Sequence, residues 1–289
     1  MVENDIKMSL QVGTISVPYD SGHYRKRMGL GPAVLFRECL EPLFLKRGIN
    51  YRHEEIISSQ SHGTEIESAF ELCTSVSHHV QALRAEDYFP IFLSGNCDIA
   101  IRGICGCGAL DTSVAWFDAH GEANTPETTT SGFLDGMGIA ILTGQCWRTL
   151  ASKIQGFHPA PGNRVLLIGS RDVEHEELKL LSRVGVQRTQ NVFEVSVAIS
   201  RLSQETDGCY CHFDLDVLDP NEAVVNRWVP PGGLMLEEVL QVVDSIRAHT
   251  PVKGFGFGSY DPAVDESKRG LKAATAIAEL LLSNKRGKA

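Results

Sequence analysis

Short, almost continuous apolar segments alternate with longer segments of helical apolar spacing along this chain. This alternation constrains the fold more than any other feature. The predicted strands are 9–17, 88–94, 112–118, 164–170, 208–216 and 252–258. The predicted helices are 32–46, 65–86, 176–184, 236–249 and 271–284. Strands that are apolar throughout are typical of parallel sheets buried on both faces, with helices as the crossover connections. The sequence therefore predicts an α/β fold of three α/β/α layers around a mostly parallel, doubly wound sheet.

No feature of the pattern divides the chain into parts. The 289 residues contain no internal repeat, no low-complexity tract and no segment that reads as an interdomain linker. Hydrophobic residues make up 43% of the sequence, which is enough to bury one large core. We therefore predict a single domain over residues 1–289.

The charge and the cysteines exclude several classes of protein. The formal net charge is −9, and basic residues cluster only at 25–27 and near the C-terminus, so we expect no nucleic-acid partner. We expect no membrane partner, because no apolar stretch is long enough to cross a bilayer. The N-terminal residues lack the apolar core of a signal peptide, and the eight cysteines are irregularly spaced. The expected location is the cytoplasm, with reduced thiols.

Polar residues follow three of the predicted strands at the point where each strand ends. Strand 88–94 leads into Gly-Asn-Cys-Asp at 95–98, and strand 112–118 leads into Asp-Ala-His-Gly-Glu at 118–122. Strand 208–216 ends in Asp-Leu-Asp at 214–216. The carboxyl ends of parallel strands lie at one edge of the sheet, where α/β proteins bind their ligands. We therefore expect these three segments to meet.

The acidic residues at these strand ends predict a metal site. Asp118, Glu122, Asp214 and Asp216 adjoin apolar segments, and His120 is the one basic side chain within these two motifs. Buried carboxylates repel one another, and a divalent cation relieves that repulsion by coordination. Carboxylates and imidazole suit manganese, iron or zinc, and shared carboxylates suit two ions. Either motif alone would more often be a turn or a helix cap; the coincidence of both favours metal.

Longer segments add a resemblance to a known family. The segments are VPYDSGHYRKRMGLGPAVLFR (17–37), NTPETTTSG (124–132), IGSRDVEHEE (168–177) and VPPGGLMLEE (229–238). Together with the two acidic motifs, and in this order, they resemble the arginase (ureohydrolase) family over nearly the whole chain. The family motifs are Asp-Ala-His-x-Asp, Ser-x-Asp-x-Asp and an earlier Gly-Gly-Asp-His.

The resemblance implies two divalent metal ions. One site would use Asp118, His120, Asp214 and Asp216. The other would use Cys97, Asp118, Glu122 and Asp214. This second site departs from the family twice, because Cys97 stands where the family has His and Glu122 stands where it has Asp. Manganese is the first expectation for both ions, but a thiolate favours zinc or iron. We expect the second site to be weaker or only partly occupied.

The resemblance also implies catalytic and substrate-binding residues. Glu122 would carry the proton to the leaving nitrogen, helped by Asp135, which stands where the family has its catalytic His. Ser259 stands at the position of the Glu that pairs with a guanidinium. Asn124 and Ser131 match contacts to an α-carboxylate. The positions near an α-amino group are Asp172 and Glu174; these polar residues could equally be turn or cap residues.

The sequence leaves the roles of His212 and of the closely spaced cysteines less certain than those of the acidic motifs. Strand alternation places His212 on the same side as Asp214, where the family usually has Ser. Its role is open between a satisfied core histidine and a partner or extra ligand of the metal site. The spacing of Cys105–Cys107 and Cys209–Cys211 does not favour a four-thiolate zinc site.

The expected function is metal-dependent hydrolysis of a C–N bond in a guanidino amino acid. The substrate would be an arginine or a modified arginine such as N-hydroxyarginine, and the product urea or a urea derivative. Family resemblance also implies a homo-oligomer, a trimer or a hexamer. The alternative is a catalytically silent relative that keeps the fold as a binding or regulatory subunit, because Cys97, Asp135 and Ser259 all depart from the family pattern.

Overall fold

The computed structural model describes residues 10–58, 64–97, 100–108 and 111–283, apart from the side chains of Arg102 and Cys105. Its centre is an eight-stranded sheet in which every described strand pair is parallel. The sheet strands are β1 (Gln11–Val17), β4 (Asn50–Glu55), β5 (Phe89–Ser94), β6 (Thr112–Phe117), β7 (Val165–Ile168), β8 (Gln187–Thr189), β9 (Gly208–Asp214) and β10 (Val252–Gly258). A separate antiparallel pair is formed by β2 (Tyr19–Asp20) and β3 (His23–Tyr24).

Ten α-helices are described, several of them only one turn long. They are α1 (Gly31–Val34), α2 (Glu41–Arg47), α3 (Glu65–Ala85), α4 (Ala100–Cys107), α5 (Gly138–Leu142), α6 (Arg148–Ala151), α7 (His175–Val184), α8 (Val192–Leu202), α9 (Leu236–His249) and α10 (Arg269–Leu281). A π-helical segment, Leu35–Leu40, joins α1 to α2. Short 3-10 turns lie at Arg27–Leu30, Asp135–Met137, Gly162–Arg164 and Leu215–Val217. None of the helices in the described ranges is long and apolar enough to span a bilayer.

Helices cover both faces of the sheet, which confirms the predicted three-layer α/β/α architecture. One core lies under the π-helical segment, α2, α8, α9 and α10, and includes Phe44, Ile199 and Val243. The other lies under α3, α4, α5 and α7, and includes Val76 and Ile104. Burial on both faces explains why the central strands are apolar throughout.

The strand order places four particular strands side by side in the middle of the sheet. The order across the sheet is β4-β1-β5-β10-β9-β6-β7-β8. The neighbours β5, β10, β9 and β6 are all parallel, so their carboxyl ends open at one edge. Three of them are the strands whose ends carry the polar motifs. The fold therefore brings those motifs together, as the sequence predicts.

Glycines set the spacing of the elements around β5. A Cβ on Gly103 of α4 would lie 2.6 Å from Oη of Tyr210, so α4 packs directly on β9. Gly95 follows β5, and a Cβ there would overlap the carbonyl oxygen of Tyr19 and lie 3.0 Å from Cα of Gly29. Both obstacles are backbone, so no rotamer change can relieve them. The path of the chain towards Cys97 depends on this close approach.

We predict that Gly95→Ala lowers the free energy of unfolding by about 2 kcal/mol, because the methyl group must displace backbone in a packed region. The measurement is the midpoint of urea unfolding. Gly136→Ala is the matched control, since nothing lies within 4 Å of its Cβ position. Equal midpoints for the two variants would contradict this account of Gly95.

Candidate metal centre

Buried acids and a thiol occupy the carboxyl ends of the four central strands. Asp118 follows β6, Asp214 ends β9, and Asp216 lies in the 3-10 turn that comes next. Cys97 lies beyond β5, and Ser259 follows β10. All five side chains are buried, with Asp118 completely inaccessible to solvent. The structure therefore brings together residues that are up to 162 positions apart in the chain.

Two groups of potential metal ligands lie at this edge. In the first group, ligand atoms of Asp118, His120 and Asp216 all lie within 4.8 Å of one another. In the second group, the same holds for Cys97, Asp118 and Asp214. The two groups share Asp118, which is the arrangement expected where one carboxylate bridges two ions.

Hydrogen bonds from the protein hold these carboxylates in place. Asp118 accepts a hydrogen bond from Nε1 of Trp116 at 2.9 Å and another from the backbone N–H of His120 at 2.7 Å. The N–H of Ala119 donates to Oδ1 of Asp216 at 3.1 Å, and the N–H of Asp216 donates to Oδ1 of Asp214 at 2.9 Å. Each strand end thus fixes its neighbour, so the ligand positions are set before any ion binds.

The cluster holds more negative charge than its one imidazole can balance. Nδ1 of His120 lies 3.4 Å from Oδ1 of Asp118 and 3.4 Å from Oδ2 of Asp216. Burial opposes charge on His120, but the bonds to Asp118 and Asp216 outweigh it and raise its pKa. Burial raises the pKa of Asp214 well above its usual range, and the charges of Asp216 and Asp118 add to the effect. A shared proton or a cation is therefore required for the group to stay buried.

Cys97 contacts two polar side chains from neighbouring strand ends. Its Sγ donates to Oδ2 of Asp214 at 3.0 Å and lies 3.3 Å from Oγ of Ser259. Ser259 has a left-handed backbone with φ of 56°. Burial raises the pKa of the Cys97 thiol, as do the negative charges of Asp214 and Asp135. Without a cation nearby, Cys97 is therefore a neutral thiol.

Asp135 lies against the segment that carries Cys97. Its Oδ1 accepts from the backbone N–H of Cys97 at 2.6 Å, and its Oδ2 accepts from Nδ2 of Asn96 at 2.8 Å. Asp135 also lines the pocket above the cluster. Its carboxylate therefore joins the 3-10 turn Asp135–Met137 to the segment after β5.

Glu122 reaches the site without joining either ligand group. It is buried, its backbone is left-handed with φ of 52°, and its Oε2 makes no hydrogen bond among the described residues. Burial raises its pKa well above the usual range, and Asp118 and Asp135 raise it further. Its role as a ligand stays a prediction.

The donor chemistry fits two divalent cations. Carboxylates, an imidazole and a thiol converge in two clusters that share one residue, and the unpaired Oε2 of Glu122 offers a further oxygen donor. The protein supplies no Lys or Arg side chain among the residues that line the site. Cations from solution are therefore the partners that would balance this charge when the carboxyl groups are ionised.

The pocket above the cluster has a volume of about 320 Å³ and is lined by all five predicted substrate-binding residues. Its lining includes seven carboxylates, with His120 as the one basic residue. Asn124 and Ser131 line one side, and Asp172 and Glu174 line another. Thr130 of the intervening loop donates to Oε1 of Glu174 at 3.2 Å, so these two sides are in contact.

Two of the predicted substrate-binding residues, Asn124 and Glu174, have structural roles within the pocket lining. Oδ1 of Asn124 accepts from Oγ1 of Thr128 at 3.0 Å, so the side chain helps to shape its own loop. Glu174 is the N-cap of α7, as the cap alternative predicts, and its exposed carboxylate also faces the pocket. The roles of Asn124, Ser131, Asp172 and Glu174 in binding a substrate stay predictions.

Sequence reasoning missed several residues that line the pocket. Glu177 is buried and accepts from the N–H groups of Ala123 and Glu174 at 3.0 and 2.9 Å. The sequence does contain a sign of this role, because Glu174 and Glu177 stand at the spacing of a capping box at the start of a helix. Phe133 and the exposed Trp228 meet edge to face at the rim, with ring centroids 5.7 Å apart. The missed lining residues are Met28, Phe133, Glu177, Asn226 and Trp228.

Arg171 fastens the loop after β9. Its half-buried guanidinium donates to the carbonyl oxygens of Asp216 at 2.9 Å, Leu218 at 3.3 Å and Pro230 at 3.1 Å. Further bonds reach Gly169, Val217 and Pro231. Arg171 therefore links three chain segments through their carbonyl oxygens. These bonds hold the turn that contains Asp216 in place.

His212 and the cysteines of β9 lie on opposite faces of the sheet. Cys209 and Cys211 pack in the core that also holds Phe213, facing away from the acids as predicted. The seven described cysteines are all free and buried. His212 is 1% exposed, but its Nε2 has no hydrogen-bond partner among the described residues. The described residues therefore leave Nε2 of His212 without a partner, and its role stays open between the alternatives that the sequence offers.

Comparison with known proteins places the chain in one family. The family model described as "Arginase family" matches residues 10–283. The arginase of Bacillus subtilis is 26% identical over 300 residues, covering 96% of this chain and 99% of that protein. Its crystal structure superposes with a TM-score of 0.80 at 25% identity, over 96% of this chain and 99% of the other.

The same fold is also found in solved structures of proteins that are not named arginase. Formimidoylglutamase from Bacillus subtilis has a TM-score of 0.71 at 18% identity, covering 94% of this chain and 86% of that one. Structural similarity alone therefore does not select a substrate.

We predict that Arg171→Lys lowers the free energy of unfolding by about 2 kcal/mol, because one ammonium group cannot reach carbonyl oxygens on three segments. Urea unfolding of the metal-free protein measures the effect. Arg183→Lys is the control, since the exposed Arg183 donates to one side chain, Gln145. If both variants unfold at the same urea concentration, Arg171 does not fasten the loop.

Proposed function

Because the chain belongs to the arginase family of dinuclear-metal ureohydrolases, we propose that it hydrolyses a C–N bond of a guanidino or modified-guanidino amino acid. The products are urea, or a urea derivative, and an amine. The observation that carries this proposal is the pair of ligand clusters sharing Asp118 at the floor of an acidic pocket.

Six side chains of this chain would hold the two ions. They are Cys97, Asp118, His120, Glu122, Asp214 and Asp216. When bound, two divalent cations supply Lewis acidity and lower the pKa of water enough to give a nucleophile near neutral pH. Manganese suits the oxygen-rich side, whereas the thiol of Cys97 favours zinc or iron on the other. We propose lower occupancy for the side that contains Cys97 and Glu122.

Glu122 is the residue placed to move a proton. Its Oε2 is buried without a hydrogen-bond partner among the described residues, and burial raises its pKa above the usual range of a carboxyl group, which favours a group that can hold a proton. Asp135 faces the same pocket, but both of its oxygens accept bonds from the Asn96–Cys97 segment. We therefore propose that Asp135 assists by holding Cys97, with Glu122 as the proton carrier.

The charge of the pocket selects a cationic substrate. Seven carboxylates line it and no Lys or Arg does, so a guanidinium and an α-amino group would both find negative partners. Asp172 and Glu174 would face the amino group. Asn124 and Ser131 would contact the α-carboxylate with neutral polar groups.

Ser259 argues for a modified head group. Its hydroxyl lies 3.3 Å from Sγ of Cys97, at the position where the family pattern has a Glu. A hydroxyl forms no charge-assisted bond to a guanidinium, so binding of unmodified arginine loses a strong contact. An N-hydroxylated guanidine or another amidine depends less on that contact, which makes N-hydroxyarginine a candidate beside arginine.

Product release tests the proposal. The protein is loaded separately with manganese, iron or zinc, and urea or hydroxyurea is measured with arginine, N-hydroxyarginine and related guanidino acids. We expect release from at least one compound, and loss of release in Asp118→Asn, because Asp118 belongs to both ligand groups. Two bound metals without any release would instead support the catalytically silent alternative.

We predict that Phe133→Asn strengthens binding of substrates that carry an α-carboxylate. Phe133 stands where the family segment Ser-Gly-Asn-x-His-Gly has Asn, and an amide there adds one bond to a charged group, worth about 1.5 kcal/mol or about tenfold in KM. The measurement compares KM for arginine and for its decarboxylated amine.

Only the compound with a carboxylate responds if the amide contacts that group. Phe193→Asn is the control, because Phe193 is exposed on α8 and does not line the pocket. A parallel change in KM for both compounds would show that Phe133 acts by general packing at the rim.

A further inference from the structure

His212 is buried beside the metal centre. It lies on β9 two residues before Asp214, so both side chains project from the same face of the sheet. Trp116 is its register partner on β6, with ring centroids 4.5 Å apart. Nε1 of Trp116 in turn donates to Asp118. His212 therefore belongs to the layer of side chains that supports the ligands.

The unpaired nitrogen of His212 needs a partner. Its Nε2 has less than 1 Å² of accessible surface and no hydrogen bond among the described residues. Buried polar atoms without partners are rare, because each has given up its bonds to water. An imidazole nitrogen is also one of the best ligands for zinc and iron.

Gly258 lies against the side chains of both His212 and Cys97. It pairs with Asp214 across β10 and β9. The point where a Cβ of Gly258 would lie is 3.1 Å from Sγ of Cys97 and 3.7 Å from Nε2 of His212. Nε2 lies outside the 4.8 Å group formed by Cys97, Asp118 and Asp214. A rotation of the imidazole or the thiol is therefore needed for a common ion, and Gly258 has no side chain to stand between them.

The two departures from the family pattern are complementary. The pattern has His at position 97 and Ser at position 212, whereas this chain has Cys97 and His212. We propose that His212 is a ligand of the ion on the Cys97 side, replacing the imidazole that position 97 lacks. Cys97, His212 and Asp214 would then give that ion one sulfur, one nitrogen and one carboxylate donor, with Asp118 shared. This donor set selects zinc or iron over manganese.

The inference rests on the proposed metal centre and is tested by metal binding, independently of turnover. X-ray absorption of the zinc-loaded wild-type protein counts the imidazole donors. We expect two per pair of ions, from His120 and His212. A single imidazole would overturn the assignment, even with both sites filled. A wild-type protein that binds no divalent metal would overturn the proposed function as well.

Variants give a second, independent measurement. Cobalt is titrated into the metal-free protein, and the thiolate-to-cobalt absorption band reports the Cys97 side. We expect His212→Ser to weaken cobalt binding at that side at least about tenfold. The double variant Cys97→His with His212→Ser restores the family pair and should recover two ions, without the thiolate band.

His158→Ser is the control, because His158 is exposed and lies outside the pocket. Circular dichroism of each metal-free variant shows that the fold is retained. Unchanged cobalt affinity and an unchanged thiolate band in folded His212→Ser would overturn the assignment of His212 while leaving the metal centre intact.

Discussion

The mutual repulsion of carboxylates buried at adjacent strand ends is the constraint on which the rest of this structure depends. Asp118, Asp214 and Asp216 lie within one shielded cluster, where water cannot screen their charges. The protein provides N–H donors to these oxygens but little positive charge, so hydrogen bonding fixes their positions without neutralising them. A rigid arrangement of under-neutralised donors is what a metal centre requires, because the ligands are ordered before the ion arrives.

The departures from the family pattern form one contact network. Cys97 touches both Asp214 and Ser259, and Asp135 accepts a bond from the N–H of Cys97. Scattered substitutions of a decaying site would have no reason to contact one another. A contiguous network instead indicates that this half of the centre differs as a unit, while the half with Asp118, His120 and Asp216 keeps its family residues.

The sequence predicted the buried parts of the molecule better than the exposed parts. Strands such as 112–118 and 252–258 are apolar because both faces are covered, and they lie where the pattern places them. The pattern did not predict the two edge strands, β4 (NYRHEE) and β8 (QRT). Edge strands are partly exposed, so their sequences lack the continuous apolar residues that mark the central strands. The motifs predicted the residues that form the two groups of potential ligands, but the bonds of Asp135 and the unpaired nitrogen of His212 depend on tertiary contacts that no local pattern encodes.

Metal choice and substrate choice are connected through position 97. In the proposed centre, the thiolate of Cys97 and the imidazole of His212 would favour a softer ion, such as zinc or iron, over manganese. The hydroxyl of Ser259 leaves that side of the pocket without the carboxylate that would pair with a guanidinium. Recognition of the head group then depends more on the ion and on the remaining acids than on a charged side chain. In the proposed centre, a head group that coordinates the ion directly would replace this missing ion pair, which is why we propose a modified guanidine as a candidate beside arginine.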